Sequence, residues 1–153
     1  MKLASAVLLV ALAPLAANGQ NGQRTIERIN PPTLSTPHGY AHVVIVQGGR
    51  TVYIAGQVAL DKDGKLVGDG DFGAQAKQVF ENMKLALAAA HVTFADVVSI
   101  TTYVTDMSQV DKFRDLRNQY FGSEPPASAL VGVKALYRPD VMIEMSAIAV
   151  ARK

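Results

Sequence analysis

The stretch Val141-Met142-Ile143-Glu144-Met145-Ser146-Ala147-Ile148-Ala149-Val150 is an apolar strand sequence that contains a single carboxylate. Another strand sequence, Pro125-Pro126-Ala127-Ser128-Ala129-Leu130-Val131-Gly132-Val133, precedes it and begins after two prolines. Short apolar runs bounded by turn residues favour strands. A carboxylate inside such a run is costly unless it is paired, hydrogen-bonded or used in catalysis. Glu144 is therefore the first candidate for a functional residue in this chain.

Two segments upstream have the period of amphipathic helices. Apolar residues recur at steps of three and four over 71–90 and again over 108–121. Ser108 is the predicted cap of the second helix, because serine favours that position. The predicted buried side of this helix consists of Val110, Phe113, Leu116 and Tyr120.

The remaining apolar runs read as strands. The Gly48-Gly49 pair between two β-branched runs predicts a hairpin. The predicted elements are strands over 43–46 and 51–58, a helix over 71–90, a strand over 97–104, a helix over 108–121, and strands over 128–136 and 141–151. This order predicts an α+β domain with two helices on one face of a mixed β-sheet.

Composition excludes several classes of function. The chain has 153 residues, of which 49% are hydrophobic and 18% charged, so one domain with a substantial core is expected. It contains no cysteine, which excludes disulfides, thiolate nucleophiles and thiolate metal sites. A net charge of +2 without a lysine or arginine cluster offers little attraction for nucleic acid. No nucleic-acid partner is therefore predicted.

No cofactor or metal is predicted either. His38 and His42 are four residues apart, but Pro37 and Gly39 disfavour the helix that a zinc-binding pair at this spacing needs. Asp61-Lys62-Asp63-Gly64 begins like a calcium loop and lacks the remaining ligands. The chain also has no glycine motif of the dinucleotide-binding type.

The first residues differ in character from the rest. Lys2 precedes an apolar run over 3–17 that small residues follow, a pattern typical of a secretory signal peptide. We expect residues 1–19 to be a cleaved signal peptide, residues 20–36 a linker and extended lead-in, and residues 37–153 the folded domain. The alternative is an uncleaved anchor, although the run is short for a membrane span. The expected protein is periplasmic or secreted, with no stable membrane span after cleavage.

Polar residues at strand ends and on the second helix are the other candidates for a site: Tyr40, Gln57, Arg114 and Ser128. Each candidate has a plain structural alternative. Tyr40 can be a half-buried aromatic with a solvated hydroxyl, and Gln57 can bond to backbone. Arg114 can be a solvated helix charge, and Glu144 can pair with a basic residue across the sheet. Taken singly, these structural explanations are favoured, so only a wider pattern groups the residues into a site.

That pattern resembles the RidA (YjgF) family over about residues 30–152. No single motif is specific, but their order and spacing together are a strong signal for the fold. The matching segments are Gly39-Tyr40, Ala55-Gly56-Gln57, Asn82 with the apolar run over 85–90, Val97 to Met107, Ile143-Glu144 and Ala147-Ile148-Ala149. The resemblance implies a homotrimer whose clefts lie between neighbouring subunits. In the best-known members these clefts hydrolyse reactive enamines and imines, and some members are labelled endoribonucleases, for which the charge of this chain offers no support.

The resemblance also assigns roles to the candidate residues. Glu144 is the expected catalytic residue, which positions water for attack on an imine carbon. Tyr40 and Gln57 are expected to border the substrate, and Ser128 stands where the family carries a carboxylate-binding arginine. Arg114 stands where family deaminases carry an asparagine, so it is a candidate for holding an anionic ligand instead. Ala55 and His42 replace a serine and a glutamine of the family pattern.

Two functional hypotheses follow from these residues. The first is a deaminase-like hydrolase of reactive imine or enamine metabolites with altered or reduced activity. The alternative is a non-enzymatic trimer that binds a small molecule, possibly a carboxylate, in the same clefts. The alternative is motivated by Ser128, because a hydroxyl cannot replace the bidentate, charge-assisted hydrogen bonds of an arginine.

Overall fold

The computed structural model describes residues 24–152. It contains six strands and two α-helices within that range. They are, in chain order, β1 (Thr25–Ile29), β2 (Val43–Gln47), β3 (Arg50–Val58), α1 (Phe72–Ala89), β4 (Val97–Val104), α2 (Val110–Phe121), β5 (Ala127–Gly132) and β6 (Ile143–Ala151). Short 3-10 turns at Phe94–Asp96 and Met107–Gln109 lead into β4 and α2.

The main sheet has four strands in the order β3-β6-β4-β5. Strand β6 is antiparallel to both of its neighbours, whereas β4 and β5 run parallel, with α2 as part of the connection between them. A parallel pair needs such a crossover connection. The predicted α+β fold with two helices and a mixed sheet is therefore confirmed.

The core lies between the two helices and one face of this sheet. On β6 the residues at alternate positions from Ile143 to Ala151 are at most 4% exposed, because successive side chains of a strand point to opposite faces. Phe80 of α1 stacks on Tyr120 of α2 with ring centroids 4.5 Å apart, and on Phe113 at 6.1 Å. This aromatic cluster joins the helices and fixes them on the same face of the sheet.

The predicted hairpin between β2 and β3 is wrong. Strand β2 pairs with β1, from Thr25 opposite Gln47 to Ile29 opposite Val43, and forms a separate two-stranded sheet. Both Gly48 and Gly49 have positive φ, as a tight turn requires, but the strands on either side enter different sheets. Alternating apolar residues identify a strand and not its partner. Strand β1 also lies inside the segment 20–36, where no strand was predicted.

Both helices lie where they were predicted, but the cap of α2 and the residues that it buries differ from the prediction. Asp71 caps α1, since its carboxylate accepts hydrogen bonds from the backbone N–H groups of Gly73 and Ala74. The predicted cap at Ser108 is wrong, because α2 begins at Val110 and Asp106 accepts the hydrogen bond from the Ser108 N–H in the preceding turn. The residues most buried on α2 are Phe113, Arg117 and Phe121. Of the predicted inward residues, Leu116 and Tyr120 are only partly buried against the core and Val110 is half-buried.

Within residues 24–152, no helix has the length and apolar character needed to cross a membrane. In the same range, no three histidine or acidic side chains are grouped so that they hold a metal ion. The predicted signal peptide over 1–19 lies outside the described residues.

Candidate functional site

Glu144 lies on the face of the sheet that the helices leave uncovered. Its neighbours Ile143 and Met145 point into the core, so Glu144 points away from it and remains partly exposed. Its cross-strand partners are Val58 on β3 and Tyr103 on β4. Among the described residues, Glu144 forms no ion pair or side-chain hydrogen bond. The structural alternative of a charge pair across the sheet is therefore absent from this part of the chain.

An irregularity in β3 makes room for the Glu144 side chain. The register shifts between Ile54 and Gln57, so Ala55 and Gly56 together occupy a bulge in the pairing with β6. A β-carbon added at Gly56 would lie 1.8 Å from the Oε1 atom of Glu144. The carboxylate therefore rests directly on the backbone of Gly56. This contact explains why the motif Ala55-Gly56-Gln57 needs a glycine at its centre.

Gln57 follows this bulge and borders the groove next to it. Its side-chain amide donates a hydrogen bond to the carbonyl of Ala55 at 3.1 Å, which fixes the side chain along its own strand. Asn82 of α1 closes the same groove and donates to the carbonyls of Val58 and Leu60, each at 2.8 Å. The helix thereby holds the end of β3 and, with it, the position of the bulge under Glu144.

Tyr40 and Ser128 are brought together in a different groove of about 360 Å³. The backbone N–H of Ala41 donates to the carbonyl of Pro126 at 3.0 Å, which attaches this loop to the beginning of β5. The ring of Tyr40 meets that of His42 edge-on at 5.2 Å. Ser128 pairs with Ile100 on β4 and borders the groove from the edge of the sheet.

Arg114 occupies a third place, separate from the other candidates. It lines a groove between α2 and the loop at Pro37–Gly39, and it forms an ion pair with Asp111 at 3.1 Å. The same groove contains Arg117, which is only 5% exposed. A single subunit therefore groups Tyr40 with Ser128 in one groove. Gln57 lies opposite Met145 and lines another groove together with residues of α1, and Glu144 does not line that groove. The subunit does not bring all five candidate residues into one pocket.

The uncovered sheet face has a second groove at its centre, of about 230 Å³. Tyr53 on β3 is opposite Ile148, and its side chain is 79% exposed. Thr101 on β4 is opposite Ser146, so small hydroxyl groups continue the face toward Glu144. This mixture of apolar and hydroxyl groups is typical of a sheet face that another surface covers.

Sequence reasoning missed Gln75, which is fully buried on α1. Its amide N–H groups donate to the carbonyls of Gly68 and Asp140, and its oxygen accepts from the backbone N–H of Met142 at 2.8 Å. These bonds fix the chain two residues before Glu144. The signal that was available is a glutamine beside the apolar stripe of α1, where a polar group needs partners.

Comparisons with known proteins agree with this fold. Residues 32–151 match the family described as Endoribonuclease L-PSP. Protein DfrA of Myxococcus xanthus is 38% identical over 73% of this chain and 85% of its own length. The human 2-iminobutanoate/2-iminopropanoate deaminase is 33% identical over 84% of this chain and 90% of its own length. The crystal structure of a Rid-family protein of unknown function from Yersinia pestis superposes with a TM-score of 0.78, at 38% identity over 82% of this chain and 98% of that one.

The same comparisons count against the predicted signal peptide, while the periplasmic or secreted location stays a prediction. The relatives include the human deaminase and a RutC family protein of Pyrococcus horikoshii, and neither name points to a secreted or periplasmic protein. A yeast relative, 29% identical, is named as mitochondrial.

The order of the elements, the bulge under Glu144 and these matches agree with one another. The chain belongs to the Endoribonuclease L-PSP family, the family of the RidA/YjgF proteins.

Proposed function

We propose that this protein is a deaminase-like hydrolase of reactive imine or enamine metabolites, with altered or reduced activity, that works as a homotrimer. The observation that carries the proposal is the Glu144 carboxylate, which rests on Gly56 at the uncovered face without a cationic partner among the described residues. A partly exposed carboxylate without a cationic partner among the described residues is suited to act as a general base toward water.

The proposed reaction adds one water molecule to a carbon–nitrogen double bond. Glu144 accepts a proton from the water as its oxygen forms a bond to the imine carbon. Return of that proton to the nitrogen gives a carbinolamine. Transfer of the remaining hydroxyl proton to the nitrogen then lets the carbon–nitrogen bond break, so that ammonia leaves and the carbon becomes a carbonyl. The overall balance is imine plus water to ketone or keto acid plus ammonia, with no change of oxidation state.

A trimer would complete the site that one subunit leaves divided. The groove of Tyr40 and Ser128 and the groove of Gln57 lie at different edges of the same sheet. A neighbouring copy packed against the uncovered face would cover Tyr53 and bring the edge of one subunit to the Glu144 region of another. Closed assemblies of identical subunits bury such faces in pairs of complementary surfaces.

Ser128 limits the proposed substrates. An arginine at this position would bind a substrate carboxylate through two charge-assisted hydrogen bonds, and serine offers one neutral hydroxyl. The proposed activity is therefore weak toward imines of ordinary α-amino acids and relatively stronger toward imines or enamines that lack a carboxylate.

The test follows ammonia and carbonyl release from imines generated enzymatically in the assay. Wild-type protein should exceed the uncatalysed rate, and Glu144→Gln should abolish the excess because it removes the base and keeps the shape. Binding of small ligands should survive that substitution. Equal rates for the two proteins would refute the proposed role of Glu144, and ligand binding without any turnover would favour a non-enzymatic binding protein.

A further inference from the structure

The groove between α2 and the loop at Pro37–Gly39 has features that the proposed hydrolase does not use. It measures about 430 Å³ and is lined by His38 and Gly39 on one side and by Arg114, Arg117 and Asn118 on the other. None of these residues contributes to the surroundings of Glu144. The groove is therefore a separate feature of the fold.

Its main element is a buried cation that has no anionic partner in the described part of the chain. Arg117 is 5% exposed, and no carboxylate within residues 24–152 forms an ion pair with it. Its Nη2 atom donates to the carbonyl of His38 at 2.7 Å and to the Oδ1 atom of Asn118 at 3.3 Å. Its Nε atom is buried with no hydrogen-bond partner in the described part of the chain. A buried charge in this condition is normally paired, so an anion in the groove would supply what is missing.

The electrostatic surroundings agree with this description. Burial and the neighbouring Arg114 both lower the pKa of Arg117, as expected for a cation with too little compensating charge. The Arg117 guanidinium also lies 5.8 Å from the ring centre of Phe113, a contact that holds it in place but carries no negative charge.

The backbone at Gly39 is shaped around the guanidinium. Gly39 has a φ of +74°, and a β-carbon there would lie 2.1 Å from the Nη2 atom of Arg117. The loop therefore approaches the arginine as closely as a residue without a side chain allows. Arg114 stands at the rim, half exposed and paired with Asp111, so its guanidinium is available to exchange that partner for a ligand.

We propose that this groove binds a small oxyanion, a carboxylate or phosphate group, with Arg117 as the buried cation and Arg114 as the cation at the rim. Arginine suits both ligands because its planar N–H groups match the geometry of two oxygens. Asp111 and Asp115 also line the groove and repel extended polyanions. The site therefore selects one compact anionic group and not a nucleic acid.

The experiment is an NMR titration of the full chain with sodium acetate and, separately, sodium phosphate, at constant ionic strength set with chloride. Saturable shifts of the Gly39 and Asn118 amide resonances are expected for at least one of the two. Arg117→Met keeps the length of the side chain and should weaken binding at least about tenfold, or about 1.4 kcal/mol. Arg50→Met is the matched control, because Arg50 is exposed on β3 and outside the groove, and it should change nothing.

Stronger binding of acetate would indicate a carboxylate ligand, and stronger binding of phosphate a phosphate ester. If Arg117→Met fails to fold by circular dichroism, Arg114→Met replaces it, since that change leaves the loop contacts of Arg117 in place and should still weaken binding. The proposal is overturned if neither anion gives saturable shifts at the groove. It is also overturned if the folded variant binds as the wild type does. Neither result bears on Glu144, whose test is the loss of hydrolysis in Glu144→Gln.

Discussion

The side chain of Glu144 packs so closely against Gly56 that a β-carbon at position 56 would lie 1.8 Å from the Oε1 atom of the carboxylate. The contact joins the one carboxylate of β6 to the bulge of β3. The bulge thereby supports the side chain of Glu144, the proposed catalytic residue. Three predictions test the proposed hydrolase and its assembly.

Gly56→Ala should displace the Glu144 carboxylate and lower the rate of imine hydrolysis at least about tenfold, which corresponds to about 1.4 kcal/mol. The atoms that must move belong to a flexible side chain, so the loss of stability should stay below about 1 kcal/mol. Rates and thermal unfolding of the same preparation measure both quantities. Gly73→Ala is the matched control, because the nearest atom to its new β-carbon is at an ordinary 3.4 Å. Unchanged activity in Gly56→Ala would contradict the role of this contact.

Ser128→Arg should raise kcat/KM for imines of ordinary α-amino acids at least about tenfold, because it restores a bidentate partner for the carboxylate. The gain should be absent for imines without a carboxylate, which an assay of both substrate types detects. Ser123→Arg adds the same charge at an exposed position before β5 and should have no effect. A wild-type rate as high as that of arginine-bearing relatives would show that another group already holds the carboxylate.

Tyr53→Glu should break the proposed trimer, because it places a charge at the centre of the face that a second copy would cover. Light scattering of the wild type should give about three times the 16.3 kDa subunit mass. Tyr137→Glu is the control, since Tyr137 is also exposed, at 63%, but lies in the turn between β5 and β6. A wild-type monomer, or a Tyr53→Glu protein with the wild-type mass, would count against this face as the interface.

Tyr120 gives a test of the packing on the other side of the sheet. Burial, together with the hydrogen bond that its hydroxyl donates to Glu81 at 2.7 Å and the charge of Glu81, raises the pKa of Tyr120 to about 12. A raised pKa in the folded state means that the contribution to stability is complete below pH 10 and is lost as the pH rises to about 12. In Tyr120→Phe, the ultraviolet titration that follows tyrosinate formation should lose the step near pH 12. In Glu81→Gln that step should move to lower pH, and a step that stays in place in both variants would contradict the assignment.

Much of the fold followed from local patterns. The period of 3.6 residues placed both helices to within two residues at each end, and β4 coincides with the predicted strand. The apolar run around Glu144 identified the strand and the unusual carboxylate together. The prolines at 125 and 126 correctly marked the end of α2 and the beginning of β5. Each of these features depends on residues close together in the chain, so the sequence alone is enough to predict it.

Strand pairing was decided only in three dimensions. Two apolar runs with a Gly-Gly pair between them fit the sequence pattern of a β-hairpin, yet β2 pairs with β1 and β3 pairs with β6. Hydrogen bonds between strands are made by backbone groups that every residue shares, so the side-chain pattern does not specify the partner. The bulge at Gly56 could not be predicted for the same reason, because a register shift exists only relative to the neighbouring strand.

The sequence by itself determined the family, through the order and spacing of several short motifs along the chain. It also determined the helices and the exceptional position of Glu144, because each of these is encoded by residues close together in the chain. The tertiary structure alone decided that Glu144 rests on Gly56, that Arg114 lies away from it, and that Arg117 is buried without a carboxylate partner among residues 24–152. Arg114 and Arg117 look alike in the sequence, since both are arginines on one amphipathic helix. The packing of α2 against the loop at Gly39 buries one of them and leaves the other at the rim, and no local pattern contains that difference.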